Sequence, residues 1–131
     1  MFAADTNVVV RVLVGDDRAQ QQAALARLRK IRANGESVLV SSVVLAEVAW
    51  VLSSAYEYER RQIAAALRGV IATPPFLVTP RAAVITALAE YENGPGDFSD
   101  YLILELARAE GFTKLLTFDK RLLKNAACEA P

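Results

Sequence analysis

The chain has 131 residues, 53% of them hydrophobic, with fifteen basic and fifteen acidic side chains, no histidine and one cysteine. That is enough for one domain with a buried core and too little for two, so a single domain over 1–131 is expected. Without histidine there is no Ser-His-Asp triad, no paired-histidine ribonuclease site and no H-E-x-x-H zinc site, and a lone Cys128 permits neither a disulfide nor a CxxC site. Cys128, beside Ala126-Ala127, reads as a small buried apolar residue and is given no role. A net charge of zero and a pI near 6.3 give no basic footprint, so any contact with nucleic acid has to rest on local charge and metal. The apolar runs are too short to span a membrane and no basic region precedes an apolar one at the N-terminus; a soluble, unprocessed, cytoplasmic protein with no membrane partner is expected.

In chain order, Met1 to Ala4 predicts a short strand reaching Asp5. Val8 to Val14 is ambiguous by its valine content, but a helix stopped at Gly15 and capped by Thr6 or Asn7 accounts for it better than one unusually long strand. A helix over 18–32, a buried strand over 38–40 and a helix over 43–54 capped by Ser41-Ser42 come next. Tyr56 to Glu59 links to a helix over 60–72, closed by Thr73-Pro74-Pro75. Then come a strand over 76–78, a helix from Pro80 to Tyr91, the breaker run Asn93-Gly94-Pro95-Gly96 and a helix over 97–110 stopped by Gly111. Residues 114–117 predict a fourth strand, 119–124 a short helix and 126–129 a last edge strand. Strands alternating with helices in this way predict an α/β fold, a parallel sheet of about five short strands covered by helices on both faces.

Five acids stand in unusual settings. In parallel α/β sheets ligands sit beyond the carboxyl ends of the strands, where Asp5 and Asp119 fall and where the helix carrying Glu47 begins. Thr6 and Asn7 are competent caps, which leaves the Asp5 carboxylate free for another task. Glu47 is the only ionisable residue in an otherwise apolar helix; burying it would cost several kcal/mol unless a cation or donors compensated it. The alternatives are an ion pair with Arg11 or a place on the one wet edge of the helix. Asp97 and Asp100, three apart at a helix start, read equally as a capping box or as paired ligands for Asp97, while Asp100 lies one turn inside an apolar helix. Asp119 reads as a cap or a ligand, and the Thr117 hydroxyl beside it as a group that holds water or a phosphate oxygen. An oxygen-only donor set selects Mg²⁺ or Mn²⁺ over zinc or iron. Four or five carboxylates exceed the charge of one divalent ion, which leaves room for a second, and a pair of ions about 3.5–4 Å apart suits phosphodiester hydrolysis.

Asp5-Thr6-Asn7-Val8, Ser41 to Val48 around Glu47, Asp97-Phe98-Ser99-Asp100-Tyr101-Leu102-Ile103 and Leu116-Thr117-Phe118-Asp119 together resemble a PIN-domain ribonuclease of the VapC toxin type. The four pieces span nearly the whole chain in the family's order and spacing. The resemblance implies a five-stranded parallel α/β/α sandwich and Mg²⁺ or Mn²⁺ held by Asp5, Glu47, Asp100 and Asp119. Asp97 matches a common extra acid, and Thr6, Asn7 and Thr117 match supporting polar positions. It further implies a homodimer, a cognate antitoxin whose tail covers the cleft, and cleavage of single-stranded regions of RNA, often transfer or ribosomal RNA. Ser99 and Tyr101 stand where small residues are frequent, which places Tyr101 at the rim of the cleft. Arg11, Arg18, Lys120 and Arg121 are the basic residues nearest these motifs and candidates for RNA contact. Two other readings compete. A haloacid-dehalogenase-like phosphatase would use Asp5 as nucleophile, but that family expects a second acid where Asn7 stands. A non-catalytic interaction module would use the acids only as caps and ion pairs.

Overall fold

The apolar spacing resolves into six α-helices and five short strands in the computed structural model, which describes residues 1–131 and separates into two compact units, 1–80 and 81–131. In the first unit β1 (Phe2–Ala3), β2 (Val38–Ser41) and β3 (Phe76–Thr79) form a parallel sheet in that order, with Ala3 opposite Leu39 and Leu39 opposite Leu77. The helices are α1 (Thr6–Leu13), α2 (Arg18–Ala33), α3 (Ser42–Ser54) and α4 (Arg60–Ala72). The ambiguous valine run is helical: Val9 and Val10 are buried, and the Asp5 and Ser41 side chains cap the two helices that leave β1 and β2. Val40, Leu45, Val48, Leu52, Leu67 and Val78, all fully buried, fill this unit's core. Because β1 and β2 are parallel neighbours, α1 and α3 start from the same edge of the sheet, and this brings Thr6 to Glu47.

The second unit holds α5 (Arg81–Asn93), α6 (Phe98–Ala109), β4 (Leu115–Leu116), a 3₁₀ turn at Leu122–Lys124 and β5 (Cys128–Glu129), with β4 and β5 parallel. The five expected strands are thus all parallel, three in one sheet and two in another, in a mixed α/β fold. The short helix expected over 119–124 shrinks to the 3₁₀ turn because the Asp119 carboxylate takes the backbone N–H of Arg121 and closes a tight turn instead. Phe98 and Leu104 of α6 pack with Val84, Leu88 and Tyr91 of α5, and Tyr91 meets Phe98 edge to face at 6.1 Å between centroids. Cys128 is buried and its thiol is pushed up by desolvation, in keeping with a packing role. No helix is long and apolar enough to cross a membrane.

One charged cluster lies inside the second unit. Glu105 is only 6% exposed and accepts from the Arg108 Nε at 2.9 and 3.1 Å. Glu90 has a buried oxygen with no partner, and burial first, then the charge of Glu105, raise its carboxyl above the usual range against a smaller pull from Arg108. An acid whose pKa rises on folding stabilises the fold fully below its unfolded value and loses that contribution as pH climbs through the folded one. Glu90→Gln is therefore expected to unfold at a higher temperature than the parent at pH 7, with the gap closing towards pH 4; melting curves across that range check it.

Candidate metal centre

In the first unit the acids are held by local backbone. Asp5 follows β1 in extended conformation and its Oδ1 accepts from the Val8 N–H at 3.0 Å, so it is itself the α1 N-cap. The expectation that Thr6 or Asn7 would cap α1 is corrected: Thr6 is the first helical residue and spends its hydroxyl elsewhere, donating from Oγ1 to the Glu47 Oε2 at 2.8 Å. Glu47 is not a buried charge. It lies on the exposed face of α3 with Val43 and Trp50, which are 65% and 69% exposed, while Leu45, Val48, Ala49 and Leu52 turn inward. The helix is apolar on its wet side as well as its dry one, so the lone acid marks the solvent face. Nor does Glu47 pair with Arg11, which is bound instead to Gln20 at 2.7 Å, the Tyr56 hydroxyl at 3.3 Å and Asp16 at 3.6 Å. The Tyr56 hydroxyl in turn donates to Asp16 at 2.7 Å, lowering the Asp16 carboxyl and raising the tyrosine. Arg11 thus braces the turn after α1, and Arg18 is exposed at the start of α2. Asn7 is exposed beside Asp5, and both line a groove of about 490 Å³ floored by Ala3, Ala4 and Leu28.

In the second unit three carboxylates surround one guanidinium. Asp97 is the N-cap of α6 and forms a reciprocal capping box with Asp100, whose Oδ2 accepts from the Asp97 N–H at 2.8 Å. Asp119 follows β4; its N–H donates to the Thr117 Oγ1 at 3.0 Å, so Thr117 orients the acid. Arg121 then reaches back over all three: its Nη2 lies 2.8 Å from the Asp119 Oδ2 and 3.4 Å from the Asp100 Oδ2, and its Nη1 3.7 Å from the Asp97 Oδ1. Its Nε bonds both Asp119 oxygens at 3.2 and 3.3 Å. These contacts hold the Asp119 carboxyl down at about 2, through the Arg121 side chain first and its backbone N–H second, and push the guanidinium higher still. Lys120 is exposed.

Tyr101 is not at a rim. It is 4% exposed, and its hydroxyl accepts from the Gly96 N–H at 3.0 Å. A Cβ at Gly94 would collide with that hydroxyl, so the breaker run packs against the tyrosine and holds the start of α6. No pattern in the chain signals this contact, since a tyrosine three residues into a helix can face either way.

No three acidic or thiol side chains in the structure are gathered as a ready metal cage. The donor chemistry nevertheless fits a hard divalent cation. All candidate ligands are carboxylate oxygens, and three of them already hold a stand-in cation whose single charge leaves two negative charges unmatched. The sequence model of the PIN domain family matches residues 3–127, and the chain belongs to that family. PIN domains are generally metal-dependent nucleases and usually use Mg²⁺ or Mn²⁺. No curated protein and no solved structure gives a significant match.

The Asp5 cap separates two roles that one residue can carry. Asp5→Ala is expected to lower stability by about 1 kcal/mol, whereas Asp5→Asn, which still caps, should stay within a few tenths of the parent. Urea unfolding of the three proteins measures both differences.

Proposed function

We propose that this chain is an Mg²⁺- or Mn²⁺-dependent endoribonuclease of the VapC toxin type, cutting single-stranded regions of RNA. The observation that carries the reading is the group of three carboxylates, Asp97, Asp100 and Asp119, gathered around a cation in a chain matched to the PIN family over 3–127. Asp5, Glu47, Asp100 and Asp119 serve as ligands, with Asp97 as an additional acid. A divalent ion held by such oxygens supplies charge stabilisation to the phosphate and a lowered pKa to the attacking water. The chain's own groups do the rest. Thr6 fixes the Glu47 carboxylate, Thr117 fixes the Asp119 backbone, and the two helix starts hold Asp5 and Asp100 by backbone N–H bonds or capping geometry. Hydrolysis then adds a water oxygen to phosphorus, breaks the bond to the 3′ oxygen and leaves 5′-phosphate and 3′-hydroxyl ends.

Several features support RNA as the substrate. Val43 and Trp50 flank Glu47 as exposed apolar surface, and an exposed indole beside an acid is a platform on which an unstacked base can lie. Exposed Arg18 and Lys120 are available to phosphate, while Arg11 is bound to Gln20 and Arg121 to the acids around it. A homodimer and an antitoxin whose tail covers the acids belong to the same reading, with cytoplasmic RNA as the setting.

Purified, partner-free protein incubated with total RNA and Mg²⁺ or Mn²⁺ is expected to give discrete cuts with 5′-phosphate ends. Chelator should abolish them, and Asp100→Asn and Glu47→Gln should each reduce cutting at least a hundredfold while folding normally. Metal-independent cutting, or full activity in both variants, contradicts the proposal.

A further inference from the structure

The geometry points to Arg121 as a built-in counter-cation that competes with the divalent ion for Asp119 and Asp100, so that metal affinity is set by an exchange within the chain. The inference rests on the metal-dependent reading above and concerns what that reading leaves open: how carboxylates this crowded stay together before a metal arrives, and what must move when it does.

The atoms assign the exchange. On Asp119, Oδ1 accepts from the backbone N–H of Arg121 at 2.8 Å, a bond that survives any movement of the side chain. Oδ2 is held by the guanidinium, from Nη2 at 2.8 Å and Nε at 3.3 Å. On Asp100, Oδ2 is shared between the Asp97 N–H and the Arg121 Nη2 at 3.4 Å. A cation approaching Asp119 Oδ2 meets the guanidinium already on that oxygen, and a cation approaching Asp100 meets the positive end of the same group. Ligation therefore requires the guanidinium to withdraw, while the capping bonds keep both acids in place. The side chain has room to do so: it is 45% exposed, and its remaining contacts are a 3.7 Å ion pair from Nη1 to the exposed Asp97 Oδ1 and a 3.5 Å bond from Nη1 to the Pro95 carbonyl. Arg121 therefore stabilises the metal-free acids and weakens their hold on a metal through the same three contacts.

Three exposed ion pairs of modest strength, lost together, correspond to on the order of tenfold in affinity. The test is calorimetric titration of Mn²⁺ into the full chain, its Arg121→Gln variant and a Lys120→Gln variant, with a melting curve of each in chelator. Arg121→Gln is expected to bind Mn²⁺ about tenfold more tightly and to melt at a lower temperature when metal-free. Lys120→Gln, which removes the same charge one residue away, should stay within about twofold of the parent. Arg121→Lys keeps the charge without the planar fork; it is expected to fall between parent and Arg121→Gln, and serves as the test should the glutamine variant not fold. Unchanged or weaker binding in Arg121→Gln overturns the exchange while the metal site stands. Equal gains in the two glutamine variants overturn it in favour of bulk charge. Absence of Mn²⁺ binding in every variant overturns the metal-dependent reading and the exchange with it.

Discussion

Carboxylates that stand close in a fold repel one another, and within each of its two units this chain holds each acid with a donor that the backbone or a neighbouring side chain supplies. Asp97 and Asp100 form the capping box at the start of α6, Asp5 takes the Val8 N–H, Asp119 takes the Arg121 N–H, and Glu47 takes the Thr6 hydroxyl. The remaining charge in the second unit is met by the guanidinium of Arg121. Each of these acids is thus positioned by groups that do not depend on a metal.

The same logic explains why so little of the chain is spent on the acids. All but Glu47 stand just past a strand or in the first turn of a helix, where the backbone already turns and unpaired N–H groups already exist. Valine and leucine in β2, β3, α1 and α3 fill the first core, and α5 and α6 close on Phe98, Tyr91 and Leu104 in the second. Tyr101 links packing to the site, because its buried hydroxyl holds Gly96 directly before the Asp97 cap.

The order of strands and helices could be read from the chain almost residue for residue, because breakers and caps bound each apolar run: Ser41 does cap α3, and Thr73 to Pro75 does close α4. What could not be read is which side of an all-apolar helix faces outward. Glu47 was expected to be a buried charge for that reason, yet Val43, Glu47 and Trp50 share the exposed face, and only the inward packing of Leu45, Val48 and Leu52 reveals it. The capping role of Asp5 was hidden by its neighbours, since Thr6 and Asn7 are also competent caps and the choice depends on where the chain turns after β1. Arg121 appeared in the sequence only as a base near an acid. Its spacing of two from Asp119 is the one available signal, and a residue alone cannot show that it also meets Asp97 and Asp100.

The proposed nuclease activity needs the acids to bind a divalent ion, and that step can be measured without knowing the substrate. Thermal unfolding of the full chain in chelator and in millimolar Mn²⁺, beside an Asp100→Asn, Asp119→Asn double variant, tests it most directly. A rise of several degrees in the parent that is absent from the folded double variant is predicted, because an ion that binds only the native acids stabilises them by mass action. Equal melting temperatures in all conditions would contradict a metal-dependent enzyme and leave the acids as caps and ion pairs of a binding module.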